Sequence, residues 1–289
     1  MASSDVTRRR GAMATDERGG LLVAVCSCRP NFAKRRAVRE SWAGERCGVV
    51  EVIHFVGDGD IDVADEVVVV DGMPDDYAHL AGKVRGFFRH AVETYQFDWL
   101  FKCDDDTYVA LDRLVALTRE GFEHAGNADF LRTRGAASGG AGYLLSRRLV
   151  EALAADESLP AIGPEDVILS GAAVKLCGRT LETNRLWYDP TSFPRRENAI
   201  ITSHWLPPDW MRAVHTVYRE EPWHVLTVDH PQWHDQVLLY ENGVCARRSS
   251  SACGQWVTHD DGALVLQWFS GIEDRLALHS PGGMEGAAC

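Results

Sequence analysis

Three consecutive aspartates, Asp104, Asp105 and Asp106, directly follow the apolar segment 99–103. Carboxylate oxygens are the ligands that hard divalent cations such as Mg²⁺ and Mn²⁺ prefer, and such a cation leaves positions open for a diphosphate. Acidic triplets also occur in solvated loops, so the residue types alone leave both interpretations open. The triplet ends a predicted strand and is followed by extended chain and then a helix, and this position favours a metal site.

A run of basic residues lies near the start of the chain, in a segment whose pattern predicts a helix. It comprises Arg29, Lys34, Arg35, Arg36 and Arg39. The arginine guanidinium matches the oxygens of a phosphate group, so the run could bind a nucleotide. A solvated helix face is the alternative.

A second acidic pair, Glu165 and Asp166, follows Pro164. Acids in the first turn of a helix are stabilised by the helix dipole, which explains the pair without any catalytic role. Alternatively, one of them could be a general base, which requires a carboxylate within hydrogen-bonding reach of an acceptor hydroxyl.

Other polar residues are less informative from their spacing. His204 and His215 flank Pro207 and Pro208, and Lys83 lies on the polar side of a predicted helix, where a surface lysine is the ordinary interpretation. The chain has no P-loop, no nucleophile elbow, no zincin motif and no dinucleotide-binding glycine motif.

The elements that position these residues alternate between strand and helix from residue 21 to about 180. Apolar runs at 21–28, 49–57, 66–72 and 99–103 predict buried strands, and apolar residues at three- and four-residue steps over 77–95 predict a helix. This order predicts an α/β fold with a mostly parallel sheet and flanking helices, in which ligands bind at the carboxyl ends of the strands.

From Trp223 onward the apolar period changes to two, which predicts a small antiparallel β-meander. We therefore expect a disordered tail over 1–20, a catalytic domain over 21–219, a meander module over 220–275 and a flexible tail over 276–289.

Composition limits the function further. The chain has 289 residues, 45% of them hydrophobic and 25% charged, and a net charge of −12. These values predict a globular protein that repels nucleic acid, and no apolar run is long enough for a membrane span. Cysteine usage favours a reducing compartment, although Cys245 and Cys253 could form a disulfide.

Five stretches, in the same order along the chain, resemble motifs of the β-1,3-galactosyltransferase and fringe-like glycosyltransferases. They are NFAKRRAVRESWAG, DDYAHLAGK, FKCDDDTYV, SGGAGYLLS and GPEDVILSG, which fall between residues 31 and 171. The resemblance implies a GT-A type fold, a Mn²⁺ or Mg²⁺ cofactor and a UDP-sugar donor. It also implies an acceptor that is a glycan or glycoconjugate.

Carried over to this chain, the resemblance implies a role for each matching residue. Asp106 becomes the direct metal ligand, and Asp104 and Asp105 face the ribose and the metal-bound waters. Asp166 becomes the catalytic base. A further stretch, PPDWMRAVH, implies His215 as a metal ligand, with His204 as the fallback. The remaining implied contacts are Arg35 or Arg39 and Lys83 with UDP, and Glu165, Gly140 and Tyr143 with the acceptor.

The function implied is inverting transfer of galactose or N-acetylglucosamine to a sugar hydroxyl, with a β-1,3 linkage. Because the membrane anchor usual in the family is not seen, we expect a cytoplasmic, bacterial-type protein, or the Golgi lumen for a form that lacks its anchor. A nucleotide-sugar hydrolase is a variant of this hypothesis. The alternative from another class is a lectin-like protein that binds glycans on Trp223, Trp233, Trp256 and Trp268.

Overall fold

The computed structural model describes residues 20–45, 48–60, 65–276 and 284–287, so the predicted tail over 1–20 lies almost wholly outside the described residues. A seven-stranded sheet forms its centre. The strands are β1 (Leu21–Cys26), β2 (Val50–Asp58), β3 (Val68–Pro74), β4 (Trp99–Asp104), β6 (His124–Asn127), β7 (Tyr143–Ser146) and β8 (Thr180–Thr183). Two short strands, β5 (Tyr108–Val109) and β9 (Thr202–Ser203), pair separately.

The order across the sheet is β3, β2, β1, β4, β7, β6, β8. Strands β1 to β4 are parallel to one another, and β7 alone runs against both of its neighbours. Cys26 pairs with Asp104, so the first turn after β1 and the aspartates after β4 meet at one edge. The predicted mostly parallel α/β sheet is confirmed.

Helices cover both faces of the sheet. They are α1 (Phe32–Glu40), α2 (Leu80–Thr94), α3 (Leu111–Leu117), α4 (Ala128–Arg134), α5 (Arg147–Ala155), α6 (Gly171–Leu176) and α7 (Pro208–Arg219). Alternate residues of β1 enter opposite hydrophobic clusters, one shared with α1, α3 and α7 and the other with α2 and α5. Within the described residues, no helix combines the length and apolar character that a membrane crossing requires.

The segment that carries the second acidic pair is not a regular helix from its start. Asp166–Ser170 forms a π-helical turn that continues into α6. Single π-helical turns are rare and frequently occur at functional sites. The sequence predicts one helix here, because the apolar spacing of α- and π-helical turns differs too little over five residues to separate them.

The last part of the chain forms a second sheet, which closes on itself. Its strands are β10 (His224–His230), β11 (Trp233–Leu239), β12 (Val244–Arg247), β13 (Cys253–Thr258), β14 (Leu264–Trp268), β15 (Glu273–Leu276) and β16 (Met284–Ala287). The antiparallel meander is confirmed, but β16 falls in the segment predicted to be a flexible tail, where it pairs with β10 and β15. Cys245 and Cys253 are buried free thiols.

The four tryptophans of this closed sheet differ in exposure. Trp268 is buried and donates to Asp274, and Trp233 packs against it edge-on. Trp256 donates to a backbone carbonyl and stacks on Trp223, which is the exposed member of the four. Most of this aromatic surface therefore packs the sheet and is not available as a glycan platform.

Candidate functional site

Each of the three aspartates accepts hydrogen bonds from different side chains. Asp104 accepts from Lys102 Nζ at 2.8 Å, and Asp106 Oδ2 accepts from Lys34 Nζ at 2.8 Å. Asp105 is buried and accepts from Ser27 Oγ at 2.6 Å and from Asn31 at 2.9 Å. The side chain of Asp105 is therefore directed toward the turn after β1.

A possible metal-binding group consists of Asp104, Asp106 and His204, whose ligand atoms all lie within 4.8 Å of one another. Asp106 Oδ1 is buried, and no described residue donates a well-aligned hydrogen bond to it. His204 Nδ1 lies 3.0 Å from that oxygen. Two ligands of one octahedral cation at about 2.1 Å are about 3 Å apart, so the arrangement fits a shared cation.

The pKa of Asp106 is consistent with this role. Burial would raise it, but the contacts with His204 and Lys34 outweigh burial and lower the pKa to about 2. Asp106 is therefore ionised at neutral pH, as a metal ligand must be.

His215, predicted as the metal ligand, lies elsewhere. Its Nδ1 is 3.0 Å from the Tyr108 hydroxyl and 3.6 Å from Glu45, outside the group of possible ligands. The reason is local: α7 begins at Pro208, so His215 is two turns into a helix whose inner face packs on the core. His204 instead lies in the extended segment after β9, and the fallback residue takes the position beside Asp106.

The residues of α1 also differ from the prediction. Arg35 is buried and binds both carboxylate oxygens of Asp65, and Arg39 binds the same carboxylate and the carbonyl of Glu66. Arg35 and Arg39 are one helical turn apart and face the same side of α1. Lys34 lies on the neighbouring face, where it contacts the aspartates and lines the site.

A pocket of about 270 Å³ extends from the aspartates along the ends of β1 and β4. Lys83 reaches into it and donates to the carbonyl of Ser27 at 2.8 Å and to Asp75 at 2.9 Å. Tyr77 stands at the rim with 84% of its surface exposed. The lining residues are Cys26, Ser27, Cys28, Asn31, Lys34, Asp75, Asp76, Tyr77, Leu80, Lys83, Asp104, Asp105 and Asp106.

A buried polar network lies beneath the other side of the site. Lys102 is fully buried and donates to Asp104, to the carbonyl of Gly139 at 3.1 Å and to Glu165 at 3.0 Å. Tyr143 donates to the second oxygen of Glu165. Burial raises the pKa of Glu165 despite Lys102, whereas Asp104 and Glu165 outweigh burial and raise the pKa of Lys102.

This network changes the interpretation of the predicted acceptor contacts. Glu165 and Tyr143 are buried, so they support the site from below and have no surface for an acceptor. Gly140 lies against the His204 ring, where a Cβ would come 2.1 Å from Nε2. The absence of a side chain at Gly140 matters, because the imidazole leaves no room for one.

Asp166 is half-buried, and its carboxylate accepts from the Val167 backbone at 2.9 Å. A Cβ at Gly139 would lie 3.3 Å from the Cβ of Asp166. The two glycines 139 and 140 therefore separate Asp166 from the His204 ring. Asp166 and the aspartates after β4 therefore lie on the same side of the molecule, and the loop 139–140 contacts both.

Lys102 and Asp75 are site residues to which the sequence patterns assigned no role, and Lys34 was identified only as a member of the basic run. Lys102 had a readable signal: it is a charged residue inside an apolar strand, two positions before Asp104 and therefore on the same face. Asp75 begins the DDYAHLAGK stretch, but its contact with Lys83 depends on how the segment before α2 packs, which the sequence does not reveal.

Solved structures similar to this chain are glycosyltransferases. A mannosyltransferase from Pyrobaculum calidifontis, in complex with GDP-mannose and Mn²⁺, has 15% identity and a TM-score of 0.39, over 57% of this chain and 55% of its own. The glycosyltransferase GlyE of Streptococcus pneumoniae has 12% identity and a TM-score of 0.39, over 66% of this chain and 55% of its own. The galactosyltransferase LgtC, in complex with donor and acceptor sugar analogues, has 12% identity and a TM-score of 0.38, over 71% and 98%.

The chain thus spans about half the length of the first two structures and nearly all of the third. The sequence matches no protein-family profile and no curated protein sequence.

Proposed function

We propose that this protein is a metal-dependent glycosyltransferase that moves a hexose from a UDP-sugar to a hydroxyl group of a glycan or glycoconjugate. The observation that carries the proposal is the Asp104, Asp106 and His204 group beside a pocket at the carboxyl ends of parallel strands. The resemblance in sequence motifs favours galactose or N-acetylglucosamine as the sugar and a β-1,3 linkage as the product.

The donor binds with its diphosphate at the aspartates and its nucleoside in the pocket. Asp104, Asp106 and His204 would hold the cation, which would supply positive charge to the leaving diphosphate. A ligand set of two carboxylates and one imidazole suits Mn²⁺ better than Mg²⁺, which prefers oxygen ligands. Lys34 and Lys83 add two ammonium groups to the walls of the same pocket.

The transfer is a single displacement. Asp166 takes the proton of the acceptor hydroxyl, the hydroxyl oxygen forms a bond to the anomeric carbon, and the bond from that carbon to the diphosphate breaks. UDP leaves with the electron pair, and the configuration at the anomeric carbon is inverted. Lys102 holds Asp104 and the 139–140 loop in fixed relation, so the metal side and the base side keep their spacing.

The test is a screen of UDP-sugars with Mn²⁺ in which released UDP is measured with and without methyl glycosides as acceptors. We expect UDP release that requires Mn²⁺ and rises with one acceptor. Asp166→Asn should keep UDP binding, because it lies outside the pocket, and should lose about 10²- to 10⁴-fold in turnover.

Asp229→Asn is the matched control, since Asp229 is an exposed acid of the closed sheet. Turnover by Asp166→Asn equal to that of this control would remove Asp166 as the base. Absence of Mn²⁺-dependent UDP binding in the wild type would overturn the transferase itself.

A further inference from the structure

Trp205 follows the metal-site histidine and has two unusual properties. Its indole is 62% exposed. Its φ is +64°, the only positive φ of a non-glycine residue in the part of the chain that the structure describes. Bulky residues rarely adopt this conformation, which persists where the surroundings enforce it and is concentrated at ligand sites.

Contacts on both sides of Trp205 enforce its positive φ. His204, immediately before Trp205, is fixed by Asp106 and by Thr107 Oγ1 at 2.9 Å from its Nδ1. Leu206, immediately after, donates its backbone N–H to the carbonyl of Asp106 at 2.9 Å and is buried. The chain is therefore held on both sides of Trp205, and the indole is left exposed between them.

The indole lies outside the nucleotide pocket but beside the reaction centre. Trp205 and His204 do not line the 270 Å³ pocket, which ends at the aspartates. The Trp205 ring centroid is 5.5 Å from that of His204, and the His204 ring covers Gly140 in the loop that adjoins Asp166. A chain of contacts therefore connects Trp205 through His204 and the loop 139–140 to Asp166.

We propose that Trp205 is the platform on which the ring of the acceptor sugar stacks. This inference rests on the proposed transferase function and names the acceptor site, for which Glu165 and Tyr143 are too deeply buried. The apolar face of a pyranose packs against an aromatic face, and an indole provides a large rigid contact at low entropic cost. A sugar on the indole presents its hydroxyl toward Asp166 while the donor occupies the pocket.

The experiment measures acceptor KM with methyl glycosides, whose aglycone has no aromatic ring to compete for the indole. We expect Trp205→Ala to raise the acceptor KM about 10-fold or more and to leave the affinity for UDP with Mn²⁺ within about 2-fold. Trp205→Phe should lie between Trp205→Ala and the wild type. Trp223→Ala is the matched control, since Trp223 is 60% exposed and lies on the closed sheet, and its KM should equal that of the wild type.

Trp205→Gly separates a binding role from a structural one. Glycine adopts positive φ freely, so this variant should melt no lower than the wild type and still show the raised acceptor KM. A lower melting temperature with unchanged KM would mean that the indole serves packing, and the platform would be wrong.

A direct readout covers the case in which methyl glycosides bind without being glycosylated. Protein labelled with 5-fluorotryptophan is titrated with methyl glycosides in the presence of UDP and Mg²⁺, and the Trp205 resonance is assigned from Trp205→Phe. We expect that resonance to shift. An acceptor KM unchanged in Trp205→Ala, or a resonance that no glycoside moves, overturns the platform and leaves the transferase intact, whereas absent UDP binding overturns both.

Discussion

At the scale of single residues, the site depends on which of two histidines lies beside Asp106. They are eleven positions apart and equally polar, yet His204 is 3.0 Å from the carboxylate and His215 is hydrogen-bonded to Tyr108. Substitutions of His204 and His215 therefore form a matched pair of variants.

We predict that His204→Gln weakens Mn²⁺-dependent UDP binding by more than about 10-fold. Loss of a metal ligand should weaken metal binding at least as much as loss of a side chain that only orients a ligand. His215→Gln should bind UDP as the wild type does. Calorimetric titration of UDP with and without Mn²⁺ measures both. The reverse pattern would return the metal ligand to α7 and exclude the arrangement described above.

Sequence patterns predict some of the site residues and not others. Residue type and position indicate the aspartate triplet at the end of β4 and the acid at the start of the π-helical turn as candidates, and the role of each stays a prediction. The contact of Lys34, and not Arg35 or Arg39, with the aspartates could not be predicted, because it depends on the carboxylate of Asp65, which binds both arginines. Such a partner comes from tertiary packing, and periodicity along the helix does not reveal it.

At the scale of elements, the buried Lys102 joins β4 to the loop 139–140 and to the segment that carries Asp166. A buried ion pair contributes little net stability compared with apolar residues, but removal of one partner leaves the other charged and desolvated. The pair therefore acts mainly to fix the position of these elements.

Lys102→Met should destabilise the protein by about 3 to 5 kcal/mol, because Glu165 then retains only the Tyr143 hydroxyl. Adding Glu165→Gln should recover part of this loss. The same substitution at exposed Lys175 should change the unfolding free energy by less than about 0.5 kcal/mol. Urea unfolding measures all three, and a wild-type midpoint for Lys102→Met would contradict a buried ion pair between Lys102 and Glu165.

Strand and helix order was predictable at this scale because alternating apolar runs and amphipathic spacing are local. The closure of the last sheet was not, since β16 lies in a segment of small residues that indicates a frayed end. It pairs with β10, which is more than fifty positions away. Long-range strand pairing has no local signal.

At the scale of the whole molecule, the closed sheet has a hydrophobic cluster of its own and also contributes residues to a cluster of the first sheet. Tyr240 and Val244 of the closed sheet belong to the same hydrophobic cluster as Val214 of α7 and Trp42. A shared cluster couples the stability of its parts, so we expect the regions on either side of the division predicted at residue 220 to unfold together.

We therefore predict one cooperative unfolding transition. Trp42 lies in the shared cluster and Trp268 inside the closed sheet, so their 5-fluorotryptophan resonances report the two parts separately. Both native resonances should disappear at the same urea concentration. Loss of the Trp268 resonance while that of Trp42 persists would show that the closed sheet unfolds alone.

The most direct test of the account is a crystal of the protein with Mn²⁺ and UDP, in which anomalous scattering locates the metal. The prediction is one strong peak about 2.1 to 2.2 Å from Asp106 Oδ1 and within bonding distance of His204, with the UDP diphosphate on its open side. A peak at His215, or UDP bound away from the aspartates, would contradict the account.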